Sequence, residues 1–238
     1  MKLTIFAATG GIGRHLLEQA VTAGHEVTAA VRSPATLMTP QVRIVTADLA
    51  AANPEALRTA VEGADAVLSG LGPRSGAEIG VARRGTQAIV TAMRAAGVRR
   101  LVVVSAAPVG TVPSPGRPNP PLHDPGDGLL MRHLGAPLIK RVLRERYADL
   151  AAMEDVLRDS GLDWTAVRPP RLTDKRPTGA YRTAYGQNVR GGHSIPRADA
   201  AHCMLHILER PDTIGRTIGL ATQSHCGRSR PTGPGRAG

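Results

Sequence analysis

Aromatic residues are nearly missing from this chain, with one Phe, one Trp and three Tyr among 238 residues. So few rings leave little to stack on unpaired bases, and the net charge of +11 is scattered and mostly arginine, so a nucleic-acid partner is not expected. Cysteine is equally scarce. Cys203 falls in an apparent helix and Cys226 in the tail, a pattern that excludes a disulfide framework and fits free thiols in a reducing compartment. No apolar run approaches the ~20 residues of a membrane span. The apolar residues of Met1–Phe6 are too few for the roughly 7 or more that the apolar region of a signal peptide needs. The expectation is a cytoplasmic protein without a membrane partner.

What remains is ordinary globular material, 42% hydrophobic and 21% charged, long enough to bury a substantial core as one domain over residues 1–221. Short apolar runs of β type alternate with helix-period segments. This predicts an α/β fold: a Rossmann-like, doubly wound parallel sheet with helices on both faces and insertions on the substrate side. Strands are expected at Lys2–Phe6, Glu26–Val31, Val42–Thr46, Ala66–Leu68, Leu101–Ser105, Trp164–Arg168 and Thr217–Ala221. Helices are expected from Ile12 to the stop at Gly24, over Pro54–Val61 and Ala77–Ala96, in pieces within Leu129–Ser160, and over Arg197–Leu208. The Pro/Gly-rich stretch 108–128 is too long for an ordinary connection and is placed as a lid. Residues 169–196 read as an irregular substrate-side extension, and 222–238 as a disordered tail.

The chemistry-bearing feature is Ala7-Ala8-Thr9-Gly10-Gly11-Ile12-Gly13, between a predicted strand and a predicted helix. Gly10 lets the backbone approach a pyrophosphate, Gly13 lets helix and strand pack closely, and the helix N-terminus offers N–H groups to phosphates. An NAD-preferring site places an acid at the end of the second strand, about 20 residues after the turn. Here Arg32 and Ser33 stand instead, which would bind a 2′-phosphate by charge-assisted hydrogen bonds and so predict NADP(H) as cofactor. Asp48 follows the third strand, either to accept from the adenine amino group or to cap the next helix. Leu71, Gly72 and Arg74 follow the fourth strand at the same edge, where the glycines either pass the ribose and pyrophosphate or merely turn.

With these residues in hand, the sequence resembles the atypical short-chain dehydrogenase/reductases, in particular the single-domain NAD(P)H-binding group that includes biliverdin-IXβ/flavin reductases. The resemblance covers about residues 1–220 and rests on FAATGGIG, AVRS, GVRRLVVVSA and SGLDWTAVRPPRLTDKRPTGAY. It implies reduction of flavins, quinones or tetrapyrroles with NADPH, or cofactor sensing in some branches, and it places Pro169-Pro170 beside the nicotinamide. Three departures stand out. The family's first turn glycine is Ala7, which requires that position to keep φ negative. Ser105 matches the family's Ser or Thr at the end of the central strand, but Ala106 follows where flavin reductases carry serine. Tyr147 invites comparison with the Tyr-x-x-x-Lys pair, yet Ala151 stands four residues on.

Without that lysine nothing obvious lowers the tyrosine's pKa, which argues against ordinary ketone reduction. Planar conjugated acceptors such as flavins and quinones delocalise the delivered electrons and can take a proton from solvent, so they need orientation more than acid catalysis. Candidate catalytic residues are therefore Ser105, as a hydrogen-bond donor or a strand-end cap, and Tyr147. Tyr181 and Tyr185 either stack on the acceptor or pack the extension, and Arg168, Arg171, Lys175, Arg176 and Arg182 either favour an anionic acceptor or form a solvated face. No metal is expected, because His202 and His206 lack the neighbouring glutamate of a zinc-protease helix. A small-molecule acceptor is the expected partner, with a monomer or small homo-oligomer as the assembly. A cofactor-binding regulator and an epimerase remain the alternatives.

Overall fold

Nearly all-apolar strands are the signature of a parallel sheet covered on both faces, and that is how the chain folds. The computed structural model describes residues 1–33, 41–49, 53–73, 78–127 and 143–223. Its strands are β1 (Lys2–Phe6), β2 (Glu26–Val31), β3 (Val42–Thr46), β4 (Ala66–Ser69), β5 (Arg100–Val104), β6 (Asp163–Arg168), β7 (Arg171–Thr173), β8 (Tyr181–Tyr185), β9 (Ser194–Pro196) and β10 (Arg216–Thr222). The helices are α1 (Gly11–Thr22), α2 (Pro54–Val61), α3 (Val81–Ala96), α4 (Arg144–Arg158) and α5 (Arg197–Ile207). The main sheet runs β3-β2-β1-β4-β5-β6-β10-β8, with every pairing parallel except β10–β8.

Alternate side chains of each strand feed two cores. Leu3, Ile5, Leu68, Val102 and Val104 meet α1 and α5 on one face, while Phe6, Val67, Leu101 and Val103 meet α2, α3 and α4 on the other. No helix among the described residues is long and apolar enough to cross a membrane.

Most expected elements occur where the pattern places them, and the exceptions have physical causes. Helix α3 begins at Val81, because Gly80 turns the chain with φ of +88°. Its first turn lacks a side-chain cap of its own, and Asp149 of α4 supplies one by accepting from the amides of Ala82 and Arg83 at 3.1 Å each. Of the helical segment expected over 129–160, residues 129–142 lie outside the described residues, as do most of the 222–238 tail and Cys226.

The stretch 171–196 departs from the irregular extension expected there, since it holds three strands. β8 closes the main sheet antiparallel to β10, and β7 pairs with β9 in a separate two-stranded sheet. β8 is half exposed, so its sequence YRTAY carries no apolar run to mark it.

Candidate functional site

Strand order reverses between β1 and β4, which splits the loops at their carboxyl ends and opens a crevice there. A cavity of about 710 Å³ occupies it, within the range of small-molecule sites. Ala7, Thr9, Gly10, Gly11 and Ile12 form its floor.

Contrary to expectation, Ala7 has φ of +56°, the only positive value among described non-glycine residues. The turn needs the left-handed conformation because the Ala7 carbonyl swings round to accept from the Gly10 amide at 2.8 Å. The same carbonyl makes Gly13 a packing glycine rather than a wall of the cavity: a Cβ there would lie 2.0 Å from the Ala7 oxygen. The first bond of α1 is Arg14 N–H to the Gly10 carbonyl at 3.0 Å, so the amides of Gly11, Ile12 and Gly13 are the free first-turn donors of the helix. With no side-chain cap and no acid in that turn, the helix end is open to an anion.

At one end of the cavity Arg32, Asp48 and Glu78 line the wall. The Glu78 carboxylate lies 3.9 Å from the Arg32 guanidinium. Sequence reading missed Glu78 because it arrives on the turn before α3, away from the strand ends that mark the site. Ser33 is exposed and does not line the cavity, Leu71 and Gly72 do, and Arg74 lies outside the described residues.

The far end is formed by Val104, Ser105, Arg146, Tyr147, Leu150 and Leu172. Ser105 was expected as a donor or a strand-end cap. Its hydroxyl instead donates to Glu154 Oε1 at 2.7 Å, leaving the oxygen lone pairs as the polar feature it can turn to the cavity. Arg168 holds the same carboxylate through Nε at 2.8 Å and Nη2 at 2.5 Å, with Glu154 and Arg168 both almost fully buried. Arg168 is thus internal, not part of a solvated or substrate-facing cluster. Glu154 also escaped sequence reading, since an acid on a charged helix gives no sign that it turns inward.

Tyr147 does line the cavity, and burial pushes its phenol up, with Arg146 opposing. Tyr181 and Tyr185 stand away from the wall. The Tyr181 hydroxyl is bonded to His202 Nδ1 at 2.8 Å, and the Tyr185 hydroxyl donates to Asp212. Pro169 and Pro170 are absent from the wall too, with the Pro169 carbonyl accepting from the Ala107 amide at 2.9 Å. Nor does the described part of the 108–128 loop reach it. Buried Asp124 ties that loop to the amide of Asn188 at 2.8 Å.

Sequence comparison places this geometry among known proteins. A Bacillus subtilis protein, YwnB, is 26% identical over 218 residues, covering 89% of this chain and 94% of its own. A chloroplastic protein of Arabidopsis thaliana is 28% identical over 187 residues, 75% of this chain, which spans only 61% of that relative's length. Among solved structures, a candidate NADH-flavin reductase of Streptococcus pneumoniae superposes with a TM-score of 0.70 at 27% identity, covering 94% of this chain and all of that one. A candidate NAD-dependent epimerase/dehydratase of Bacillus halodurans has a TM-score of 0.66 at 25% identity, covering 94% of each chain. An anaerobilin reductase of Escherichia coli O157:H7 shares the fold at 20% identity and a TM-score of 0.71, over 93% of this chain and 97% of its own. The family profile described as NAD(P)H-binding matches residues 7–211, from the glycine turn to just past α5, and the chain belongs to that family of Rossmann-fold oxidoreductases.

Proposed function

We propose that this protein is an NADPH-dependent reductase of a planar conjugated acceptor, of the flavin or quinone type. The observation that carries the reading is the acceptor end of the cavity, where Val104, Leu150 and Leu172 stand with Ser105, Arg146 and Tyr147 and no described residue completes a Tyr–Lys-type proton-donor pair. Ser105 spends its proton on Glu154. Tyr147 has its phenol pushed up by burial, and the position one turn on is the buried Ala151. A ketone reduced there would lack an acid for its developing alkoxide, whereas a flavin or quinone can take its proton from water.

The bound cofactor supplies the hydride, and the protein's own groups orient both reactants. The first-turn amides of α1 hold the pyrophosphate, Arg32 the 2′-phosphate, and Asp48 the adenine edge. Ser105 accepts from the nicotinamide amide, while Leu150, Leu172 and Tyr147 shield the reacting faces from water. The likeness to a candidate NADH-flavin reductase over its full length supports the acceptor class. We further propose a cytoplasmic location and a monomer or small homo-oligomer.

The test is NADPH oxidation followed in turn with FMN, a quinone and a ketone. Turnover is expected with the first two only. Ketone reduction would refute the acceptor class, and no turnover despite tight NADPH binding would favour a cofactor sensor. In the same preparation Arg32→Asp should weaken NADPH binding at least tenfold more than NADH binding. Equal losses would remove Arg32 from the 2′-phosphate site.

A further inference from the structure

Arg197 has no place in the reading of the turn, yet it lies directly on it. Strands β7 and β9 run parallel with Thr173 opposite Pro196 as their last pair, so the next residues, Asp174 and Arg197, emerge side by side at the cavity. Their side chains are joined, Arg197 Nη1 to Asp174 Oδ1 at 2.6 Å. The Arg197 stem then crosses Gly11: a Cβ built on Gly11 would stand 2.8 Å from Arg197 Nε and 3.0 Å from Cδ.

Gly11 is not among the residues of positive φ and sits in the first turn of α1, so its backbone does not require glycine. A Cβ there would meet the arginine seated on it and displace that side chain. A guanidinium at that place faces the open amide end of α1, which has neither cap nor first-turn acid. Only 28% of the Arg197 side chain is exposed, against 84% for Asp174, so the cation is the built part of the pair and the acid its solvent-side tether.

We infer that Arg197, seated on Gly11, is the second half of the pyrophosphate site, closing from the substrate-side sheet over the phosphates that the α1 amides hold from below. The inference rests on a dinucleotide binding at the glycine turn. Planar guanidinium donors suit two adjacent phosphate oxygens, and a charge-assisted bond of this kind contributes about tenfold or more in affinity. Arg32 and Arg197 then divide the cofactor, the first reading the 2′-phosphate and the second the diphosphate common to both nicotinamide dinucleotides.

The experiment is calorimetric titration of wild type and Arg197→Met with NADP⁺, NAD⁺, ADP-ribose and 2′-AMP. Loss of the guanidinium should weaken the three diphosphates by similar factors of about tenfold or more, and 2′-AMP by less than about twofold. Losses below about twofold throughout, or an equal loss for 2′-AMP, would overturn the assignment, the latter showing only a general field effect. Should wild type bind none of the diphosphates, the dinucleotide reading of the turn fails instead.

Two further variants cover a poorly folding Arg197→Met. Arg197→Lys keeps the charge without the fork and should retain part of the affinity. Gly11→Ala keeps Arg197 but displaces it, so it should weaken the same three ligands and add nothing once Arg197 is gone. Wild-type affinities in Gly11→Ala would refute the seat.

Discussion

Two residues of the glycine turn carry opposite constraints although each bears on the same carbonyl. Ala7 is held at φ of +56°, where its Cβ costs about 1 kcal/mol relative to glycine, whereas Gly13 cannot bear a Cβ at all. Ala7→Gly should therefore raise the melting temperature by about 2–4 °C, less whatever the freer unfolded chain takes back. A melting temperature at or below wild type, by calorimetry, would show that the left-handed alanine carries no strain. The need for glycine at 10, 11 and 13 was legible in the sequence as a motif. Close helix–strand packing as the reason at Gly13 was legible with it, whereas the arginine seated on Gly11 arrives from a distant element. Ser105 follows the same pattern. Its place at the strand end was readable, but the engagement of its proton depends on Glu154, 49 positions away.

At the scale of elements, α3 and α4 act as one unit. Helix α3 borrows its N-terminal cap from Asp149, whose neighbours Tyr147 and Leu150 line the cavity, so the cap also sets the position of that wall. Asp149→Ala should cost about 1–2 kcal/mol in urea unfolding, with hydrogen exchange accelerated first at Ala82 and Arg83. Uniform acceleration over both helices would mean that the cap is not the local anchor. Strands β1, β2, β4, β5, β6 and β10 were readable because they are largely buried, and the edge strand β3 by its apolar Val42, Ile44 and Val45, whereas the half-exposed β8 and the three-residue β7 and β9 lack the apolar run that marks a strand. Two of those weakly marked strands, β7 and β9, lead directly to Asp174 and Arg197 at the cavity.

Across the whole molecule, acid should loosen the fold partly through α5. His202 is packed among Tyr181, His206 and Asp199. Burial and then His206 lower its proton affinity, while Asp199 opposes. Its folded pKa thus lies below the unfolded value of about 6.5, so the unfolded chain binds the proton more readily. Stability from this group is complete above neutrality, falls as pH drops through about 6.5 and levels off once the folded form is protonated. Melting temperatures from pH 8 to 5 should fall less steeply for His202→Asn, and an unchanged slope would remove His202 from the account.

The sequence by itself determined the alternation of strand and helix and the glycine turn, because burial on two faces and a tight strand-to-helix turn restrict residue choice locally, while the order of the strands, and with it the crevice, came from the fold. Tertiary structure alone decided that Ala7 is left-handed, that Ser105 gives its proton to Glu154, that Glu78 stands beside Arg32 and that Arg197 lies on Gly11. The last three depend on a side chain brought from a distant element, whereas Ala7 is set by a backbone bond within the turn, and a polar residue carries no local mark of the partner the fold will bring to it. The glycine turn identifies the ligand class from sequence, but the groups around it, drawn from three strands, four helices and the loops between them, shape the cavity at that turn.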